Sequence, residues 1–397
     1  MTENNPAPAR ALILAGDTDG NLGDLAIVTA TIEALRELAP NIHIALVTGQ
    51  PERDQRELGI TPIQRGWRGM IALATAARKA DLIICGGGGL FQDDDSLIKM
   101  PYWAIRLVIV GLFAPRIVGY SIGAGPLNHA WSRFFARIAL SRLQRISVRD
   151  RLAQETLAPL THKPVDIVPD PAFMLNIAPR NLAIAQLENA GVPLDGKPVI
   201  GVSVKRSFHT DANIIPHKYA VKYRLRKIPG EEQMRVNTEL TAAALDTMAA
   251  EHEAYILFLP TYTAPHENDV DICRRVWEQM QTQRHACLVI DDPRLYKSVC
   301  RELSVMLGGR MHAAILAAGA GTPVVGLGYN PKFAGMFELL GRDAQCLSLE
   351  KFVAGSDPGP LAAQLNEAII TSNDSAADTQ PLADAARRNL GELLAGR

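Results

Sequence analysis

The chain has 397 residues, of which 47% are hydrophobic and 21% are charged, and its formal net charge is −1. This composition is typical of a water-soluble globular protein, and the length favours two domains over a single hydrophobic core. The balanced charge gives no reason to expect nucleic acid as a partner, and five cysteines without CxxC spacing indicate a reducing, cytoplasmic compartment and no zinc site.

The first half of the chain alternates short β-like runs with helical patterns, which predicts a mostly parallel sheet covered by helices. Its polar first ten residues do not resemble a signal peptide. Strands are predicted at 11–15, 42–47, 82–85, 117–120, 145–148 and 165–168. The longest apolar stretch, 103–114, is too short to span a bilayer and is predicted to be a buried or surface-lying helix.

A second series of strands is predicted at 199–204, 255–259, 287–290, 303–307 and 324–327. The Pro- and Gly-rich stretch 178–198 separates the two series. We therefore predict an α/β protein with two doubly wound parallel-sheet lobes. Its parts are an amino-terminal lobe over 1–178, a carboxy-terminal lobe over 179–341 and a helical tail over 342–397. Either lobe could hold the tail.

Three glycine-rich turns follow predicted strands of the first lobe, at 16–24, 86–89 and 123–126. Ligands of doubly wound sheets bind at the carboxyl ends of the strands, so these turns are predicted to face one cleft. Glycine lets the backbone approach a ligand closely, which makes Gly87 and Gly88 candidate cleft residues. Asn21 and Asp24 are candidate partners of sugar hydroxyls, or caps of the helix that follows. The glycine spacing matches neither a dinucleotide-binding turn nor a P-loop.

The stretch 307–312, Leu-Gly-Gly-Arg-Met-His, lies between a predicted buried strand and a helix of small residues. Gly309 helps the chain to turn sharply, and backbone amides at a helix start favour an anion. Arg310 is a candidate anion-binding residue and His312 a candidate proton-transfer group. Residues two apart do not share a helix face, so both reach one ligand only from the turn itself. The alternative is an exposed arginine and a buried, hydrogen-bonded histidine at a plain helix start.

Further cations follow another strand of the second lobe. Lys205 and Arg206 either share an anionic substrate with Arg310 or belong to a solvated loop. His266 is a candidate cleft residue, or a surface residue before a helix. Segment 212–230 contains five Lys or Arg residues and no acid. It is predicted to be a basic arm that contacts a pyrophosphate, an anionic lipid surface or an acidic glycan.

Eight short motifs occur in order along the chain: Asn21–Ala26, Ala80–Gly88, Gly119–Pro126, Ser147–Asp150, Asp170–Phe173, Gly201–Val204, Gly309–His312 and Gly321–Gly326. Together they resemble the polysaccharide pyruvyltransferase family. The resemblance implies a fold similar to that of GT-B glycosyltransferases. It also implies transfer of the pyruvyl group of phosphoenolpyruvate to two hydroxyls of a sugar, which forms a cyclic ketal and releases phosphate.

The same resemblance implies roles for single residues. The Arg-x-His corner of the family is associated with the donor and maps onto Arg310 and His312. Arg310, Lys205, Arg206 and the turn at Gly309 are then expected to hold phosphoenolpyruvate, a co-substrate in a reaction that requires no cofactor or metal. His312 is expected to protonate its methylene carbon. Where relatives are expected to carry Arg after the Gly-Val-Ser-Val strand, this chain has Lys205 followed by Arg206.

The first lobe is then the acceptor side, for a glycan or a lipid-linked saccharide of an exopolysaccharide or the cell envelope. A cytoplasmic enzyme at the inner face of the membrane is expected, with 212–230 as its candidate membrane contact. The acceptor sugar, the ketal stereochemistry and homo-oligomer formation stay open. Two alternatives are a nucleotide-sugar-dependent GT-B glycosyltransferase, whose acidic ribose site is not evident in the second lobe, and a non-catalytic protein that binds anionic sugars.

Overall fold

The structure is a computed structural model that describes residues 8–16, 18–94, 96–206, 230–264, 267–371 and 377–396. Two parallel β-sheets with helices on both faces form two lobes, which confirms the predicted α/β class and doubly wound architecture. In the part of the chain that is described, no helix is long and apolar enough to cross a membrane.

The first lobe is built on eight strands: β1 (Arg10–Leu14), β2 (His43–Thr48), β3 (Thr61–Gln64), β4 (Leu82–Gly86), β5 (Gly89–Phe91), β6 (Ile117–Ala124), β7 (Arg145–Val148) and β8 (Val165–Ile167). Their order is β3-β2-β1-β4-β6-β7-β8, with β5 paired to β6, and every pairing is parallel. Every residue of β4 and β6 is buried, as expected for parallel strands covered on both faces.

The helices of this half are α1 (Leu22–Leu38), α2 (Pro51–Leu58), α3 (Met70–Lys79), α4 (Lys99–Gly111), α5 (Ala130–Arg142), α6 (Arg151–Leu157) and α7 (Arg180–Asn189). Helices α3 to α6 bury one apolar cluster with the sheet. Helix α1 belongs to a different cluster on the opposite face. The first sheet is therefore a central layer between two layers of helices.

The second lobe contains β9 (Val199–Ser203), β10 (Tyr255–Phe258), β11 (His285–Cys287), β12 (Val305–Gly308), β13 (Val324–Gly328) and β14 (Cys346–Ser348). They form a parallel sheet in the order β11-β10-β9-β12-β13-β14. Its helices are α8 (Glu231–His252), α9 (Asp269–Trp277), α10 (Pro293–Cys300), α11 (Met311–Ala318), α12 (Pro331–Leu339) and α13 (Leu349–Gly355).

The tail continues with α14 (Gly359–Ile370) and α15 (Gln380–Ala395), and the two helices pack on different lobes. Helix α14 lies against α8 of the second lobe, whereas α15 returns to the first lobe. There the carbonyl of Ala386 accepts a 3.0 Å hydrogen bond from the buried hydroxyl of Tyr120. The apolar cluster between the lobes includes residues of both sheets and of α15, so it joins the two halves of the molecule.

Several elements differ from the sequence predictions. Strand β3 has four residues, one of them Pro62, and lies at the sheet edge where proline is tolerated. Helix α7 lies within the stretch that is predicted to be a boundary. Its amphipathic pattern is weak, because only Ala183 and Leu187 of its ten residues are buried. The tail is not purely helical, since β14 completes the second sheet. Strand β11 begins two residues and ends three residues before the strand predicted at 287–290.

Candidate active site

His312 lies in the cleft between the lobes, on the first turn of α11. Its Nε2 atom is 3.5 Å from Oδ2 of Asp170, which comes from the first lobe. That nitrogen is buried and makes no hydrogen bond within the described residues. A Cβ atom at Gly23 would collide with the imidazole ring, so the first turn of α1 packs directly on His312. Both lobes therefore fix the position of this ring.

Asp170 is held by the backbone of the first lobe. Its Oδ1 atom accepts a 3.0 Å hydrogen bond from the amide of Ala172, at the start of a short 3-10 helix. Ser121, a non-glycine residue with φ of 47°, donates its hydroxyl to the carbonyls of Val168 and Pro169, 3.1 Å from each. The Ser121 bond thus fixes the chain directly before Asp170, and this strained position lies beside the cleft.

Arg149 follows β7 at its carboxyl end and is 6% exposed. Its Nη1 atom donates to Oδ2 of Asp170 at 3.2 Å, and its Nε atom lies 3.5 Å from Oδ2 of Asp150. Burial of Asp170 opposes its ionisation, but His312 at 3.5 Å and the hydrogen-bonded Arg149 lower the pKa of its carboxyl to about 2. Arg149, Asp170 and His312 therefore form a charged cluster that crosses the cleft.

Lys332 reaches the same cleft from the first turn of α12, in the second lobe. Its ammonium group donates to Oε1 of Gln92 in the first lobe. Burial, together with the nearby Arg149 and Lys99, lowers the pKa of Lys332 to about 7 against the opposing effect of Asp94 and Asp150. No carboxylate of the described residues lies within ion-pair distance of the ammonium group. An anionic ligand would supply the missing negative charge.

The predicted acceptor residues lie at the first-lobe side of this cleft. Asn21 caps α1, since its side chain accepts hydrogen bonds from the amides of Gly23 and Asp24. The Asp24 carboxylate lies close to Gly88, where a Cβ atom would be 2.5 Å from Oδ1. Gly87 has φ of 81° and packs on Ile27 of α1, not on the open cleft.

Arg310 contacts carboxylates of its own lobe, whereas His312 lies beside Asp170 of the first lobe. It is the N-cap residue of α11, and its Nε and Nη2 atoms donate to Asp269 at 2.5–3.1 Å. Nη2 also donates to Oε1 of Glu267 at 3.1 Å. Although burial alone would lower it, Asp269 and Glu267 raise the pKa of the Arg310 guanidinium above its ordinary value. The Arg310 and His312 side chains thus contact different carboxylates, Arg310 those of the second lobe and His312 that of the first.

The other predicted donor residues are paired with acids or pack on backbone. The Lys205 ammonium group lies 3.7 Å from Glu267 and 4.2 Å from the centre of the Tyr329 ring. Arg206 donates to Glu231 at 2.7 Å. The amide of Gly309 donates to the carbonyl of Ser203 at 2.5 Å, which anchors the turn on β9.

Two further predictions lie outside the described residues. His266 belongs to the gap 265–266, and the basic segment falls within 207–229 except for Gly230. Within the part of the chain that is described, no three His, Cys, Asp or Glu side chains are arranged to hold a metal ion.

Two backbone hydrogen bonds connect the lobes beside the site, and we call the two paired segments the strap. The amide of Leu22 donates to the carbonyl of Thr261 at 2.9 Å, and the amide of Thr263 donates to the carbonyl of Gly20 at 2.8 Å. On the second-lobe side, Asp269 accepts from the amide of Tyr262 at 2.9 Å. Arg310 binds this same Asp269, so Arg310 supports the strap that positions the start of α1.

Sequence reasoning missed Arg149 and Lys332 as site residues. Both follow a strand of a parallel sheet at its carboxyl end, which is where such sheets bind ligands. Arg149 lies in the quoted Ser147–Asp150 motif, and Lys332 follows the Asn330 cap of α12. A systematic search for cations after strands would have found both of them.

Comparisons with known proteins give a family and a fold. A family model described as polysaccharide pyruvyl transferase matches residues 21–331. A search among curated proteins returns no significant match.

Solved structures with the same arrangement include two UDP-GlcNAc 2-epimerases. The enzyme from Methanocaldococcus jannaschii is 10% identical with a TM-score of 0.61, over 96% of this chain and 98% of that chain. The Neisseria meningitidis enzyme bound to UDP-GlcNAc is 9% identical with a TM-score of 0.59. The match covers 98% of this chain and 100% of that chain. ADP-heptose LPS heptosyltransferase II from E. coli is 12% identical with a TM-score of 0.52, over 92% and 99%. At these identities the likeness shows the fold alone, and it confirms the expected GT-B-like architecture.

Proposed function

Because the chain belongs to the polysaccharide pyruvyl transferase family, we propose that it transfers the pyruvyl group of phosphoenolpyruvate to two hydroxyls of a glycan or lipid-linked sugar. The products are a cyclic ketal and inorganic phosphate. The observation that carries this proposal is the convergence of Arg149, His312 and Lys332 in the cleft, from both lobes.

Phosphoenolpyruvate carries a carboxylate and a phosphate, so its site needs several cations in fixed positions. The guanidinium of Arg149 has the planar fork that suits either anionic group, and its buried Nε atom makes no hydrogen bond within the described residues. The Lys332 ammonium group is buried without a paired carboxylate there. These features favour Arg149 and Lys332 as donor-binding residues. Arg149 also contacts Asp170 and Asp150, but it keeps a buried Nε atom without a hydrogen bond.

His312 supplies the proton in this proposal. As an imidazolium oriented by Asp170, it donates to the methylene carbon, which leaves the central carbon cationic and open to a hydroxyl. One sugar hydroxyl adds to that carbon and releases its proton. The bond from the central carbon to the phosphate oxygen then breaks, and the second hydroxyl attacks with loss of its proton. One released proton returns to His312 and the other leaves with phosphate, so the reaction is balanced.

Asp24 and Gly88 mark the acceptor side of the cleft, in the first lobe. The proximity of the Asp24 carboxylate to Gly88 supports this assignment, because a carboxylate accepts hydrogen bonds from sugar hydroxyls. A cytoplasmic setting is part of the proposal, since the described cysteines are all free thiols.

The test is transfer of label from phosphoenolpyruvate labelled in its pyruvyl carbons to glycan and lipid-linked sugar fractions of the source cells. We expect acid-labile label in the glycan and release of an equal amount of inorganic phosphate. No label transfer from phosphoenolpyruvate, together with sugar transfer from UDP- or GDP-sugars, would show that the enzyme is a glycosyltransferase instead.

A further inference from the structure

The first lobe exposes apolar side chains on one outer face. Helices α3, α4 and α5 lie side by side on this face, with α4 between the other two. Outward from them point Trp67, Ile71, Ile105, Trp131 and Phe134, and we call this surface the α3–α5 face. Among the described residues, all exposed Trp and Phe side chains lie on it or in the loop after α4.

The side chains of the α3–α5 face are more exposed than side chains at the border of a hydrophobic core. Trp67 is 71% exposed, Ile71 85% and Trp131 56%. Apolar residues scattered singly on a surface need no explanation, but a concentrated group marks an interaction site. Tryptophan in particular is enriched where a protein meets the headgroup region of a bilayer.

Helix α4 is apolar on both of its sides. One side packs on the sheet through Trp103, Leu107 and Val110, while Ile105 and the following Leu112 face outward. A helix that is hydrophobic all round is normally covered on all sides. The outward side of α4 has no cover in the described part of the chain, so an external partner is expected.

Charge identifies the kind of partner. From residue 96 to residue 149 the chain has eight Lys or Arg residues and no Asp or Glu, and of the eight only Arg106 and Arg149 are buried. Arg137 and Arg142 are exposed on α5, as are Arg78 and Lys79 at the end of α3. A basic surface with exposed aromatic side chains complements an anionic lipid headgroup layer over acyl chains. A two-fold dimer through this face would instead place two basic surfaces against each other.

The position of the face agrees with this partner. Helices that connect parallel strands begin at the carboxyl edge of the sheet, which here is the cleft edge. Trp67 and Ile71 lie at the start of α3, and Trp131 and Phe134 lie in the first turns of α5. Trp67, Trp131 and Phe134 therefore lie towards the cleft edge of the first sheet.

We propose that the α3–α5 face docks the protein on an anionic membrane surface. This site is distinct from the predicted basic segment 212–230. The inference goes beyond pyruvyl transfer, since binding to the membrane needs neither donor nor acceptor. If the proposed function also holds, the same contact would bring the cleft to lipid-linked sugars.

The test uses the full-length protein and vesicles of phosphatidylcholine, with or without phosphatidylglycerol. We expect flotation only with the anionic vesicles, release by added salt, and quenching of tryptophan fluorescence by brominated acyl chains. The quenching is informative because Trp67 and Trp131 are the exposed tryptophans among the described residues.

Two variants and one matched control separate the contributions of the aromatic and the basic side chains to vesicle binding. Trp131→Ser with Phe134→Ser, and separately Arg137→Glu with Arg142→Glu, should each lower vesicle partitioning about tenfold. Leu182→Ser with Ile370→Ser removes exposed apolar side chains elsewhere and should leave partitioning unchanged. Circular dichroism and melting temperature show whether each variant is folded.

Three results would overturn the proposal. The first is no flotation of the wild-type protein with anionic vesicles. The second is unchanged partitioning of both folded variants, which would leave the 212–230 segment as the membrane contact. The third is a wild-type dimer that becomes monomeric in the Trp131→Ser, Phe134→Ser variant without any vesicle binding.

Discussion

Several positions of the cleft are glycine because ionisable side chains lie where a Cβ atom would be. A Cβ atom would collide with His312 at Gly23, with Asp24 at Gly88 and with Lys332 at Gly125. At Gly123 it would collide with the Gly88 carbonyl and lie 3.0 Å from Cζ of Arg149. The sequence predicted that the glycine-rich turns admit a ligand to the backbone. In the structure these four glycines leave room for ionisable side chains, and the ligand would meet those side chains.

His312 is predicted to serve as the proton donor. His312→Ala should lower pyruvyl transfer about 100-fold or more, because a positioned acid contributes at least that factor. Phosphoenolpyruvate affinity should change little, since Arg149 and Lys332 remain. Transfer kinetics and calorimetric titration measure the two effects, with the exposed His162→Ala as control. Unchanged turnover would remove His312 from the mechanism.

Lys332 is predicted to make donor binding depend on pH. With a pKa of about 7, it carries a positive charge at pH 6 and is mostly neutral at pH 8.5. The wild-type protein should therefore bind phosphoenolpyruvate more tightly than Lys332→Met at pH 6, and the two affinities should converge as the pH rises. Titration calorimetry at several pH values measures the ratio of the two dissociation constants, wild type against Lys332→Met. A ratio that does not vary with pH would contradict this role.

The Lys332→Met variant also has a stability signature. The unfolded chain keeps a lysine pKa near about 10.4, so between pH 7 and that value it binds more protons than the folded protein. Wild-type stability should thus rise with pH in this window relative to Lys332→Met. Below pH 7 the full desolvation penalty of the charged lysine applies, and the variant should be the more stable protein. Thermal melts across this range check that the variant is folded.

At the scale of elements, the strap between α1 and the loop after β10 links the position of His312 to the buried ion pair of Arg310 and Asp269. Asp269 binds the loop amide of Tyr262 and the guanidinium of Arg310. The loop in turn binds the start of α1, on which His312 packs. Arg310 is in this account a positioning residue.

Arg310→Ala is predicted to destabilise the fold by about 3–5 kcal/mol, because it leaves the buried Asp269 carboxylate without its cation. The double variant Arg310→Ala, Asp269→Ala should recover part of this loss. Chemical denaturation measures the free energies of unfolding, and transfer kinetics measure kcat and KM. If Arg310→Ala kept its stability and lost phosphoenolpyruvate affinity, Arg310 would instead be a donor-binding residue as the family resemblance suggests.

The sequence predicts some elements of the fold better than others. Buried parallel strands such as β4 and β6 are continuous apolar runs, and they are recognisable without a structure. Edge strands β3 and β14 are short, and β3 contains proline, so local pattern does not reveal them. The Gly-Gly-Arg-Met-His turn located His312 in the cleft. It did not reveal the direction of the Arg310 side chain, which depends on Asp269, 41 residues away along the chain.

At the scale of the whole molecule, the candidate active site lies where the two lobes meet. Lys332 and His312 come from the second lobe, and Arg149 and Asp170 from the first, so no single segment of sequence contains the cluster. The apolar cluster that both sheets share, together with α15, holds these four side chains together. The family match supports a polysaccharide pyruvyl transferase, and the GT-B-like fold supplies the cleft between two lobes.

The most direct test of this account is donor binding by the intact protein. A ligand that binds only the folded state raises its stability, by about 2.7 kcal/mol at a concentration of 100 times Kd. Phosphoenolpyruvate should raise the melting temperature of the wild-type protein, and Lys332→Met should abolish most of this rise near pH 6. UDP- and GDP-sugars should have no effect. Stabilisation by a nucleotide sugar and none by phosphoenolpyruvate would contradict the account.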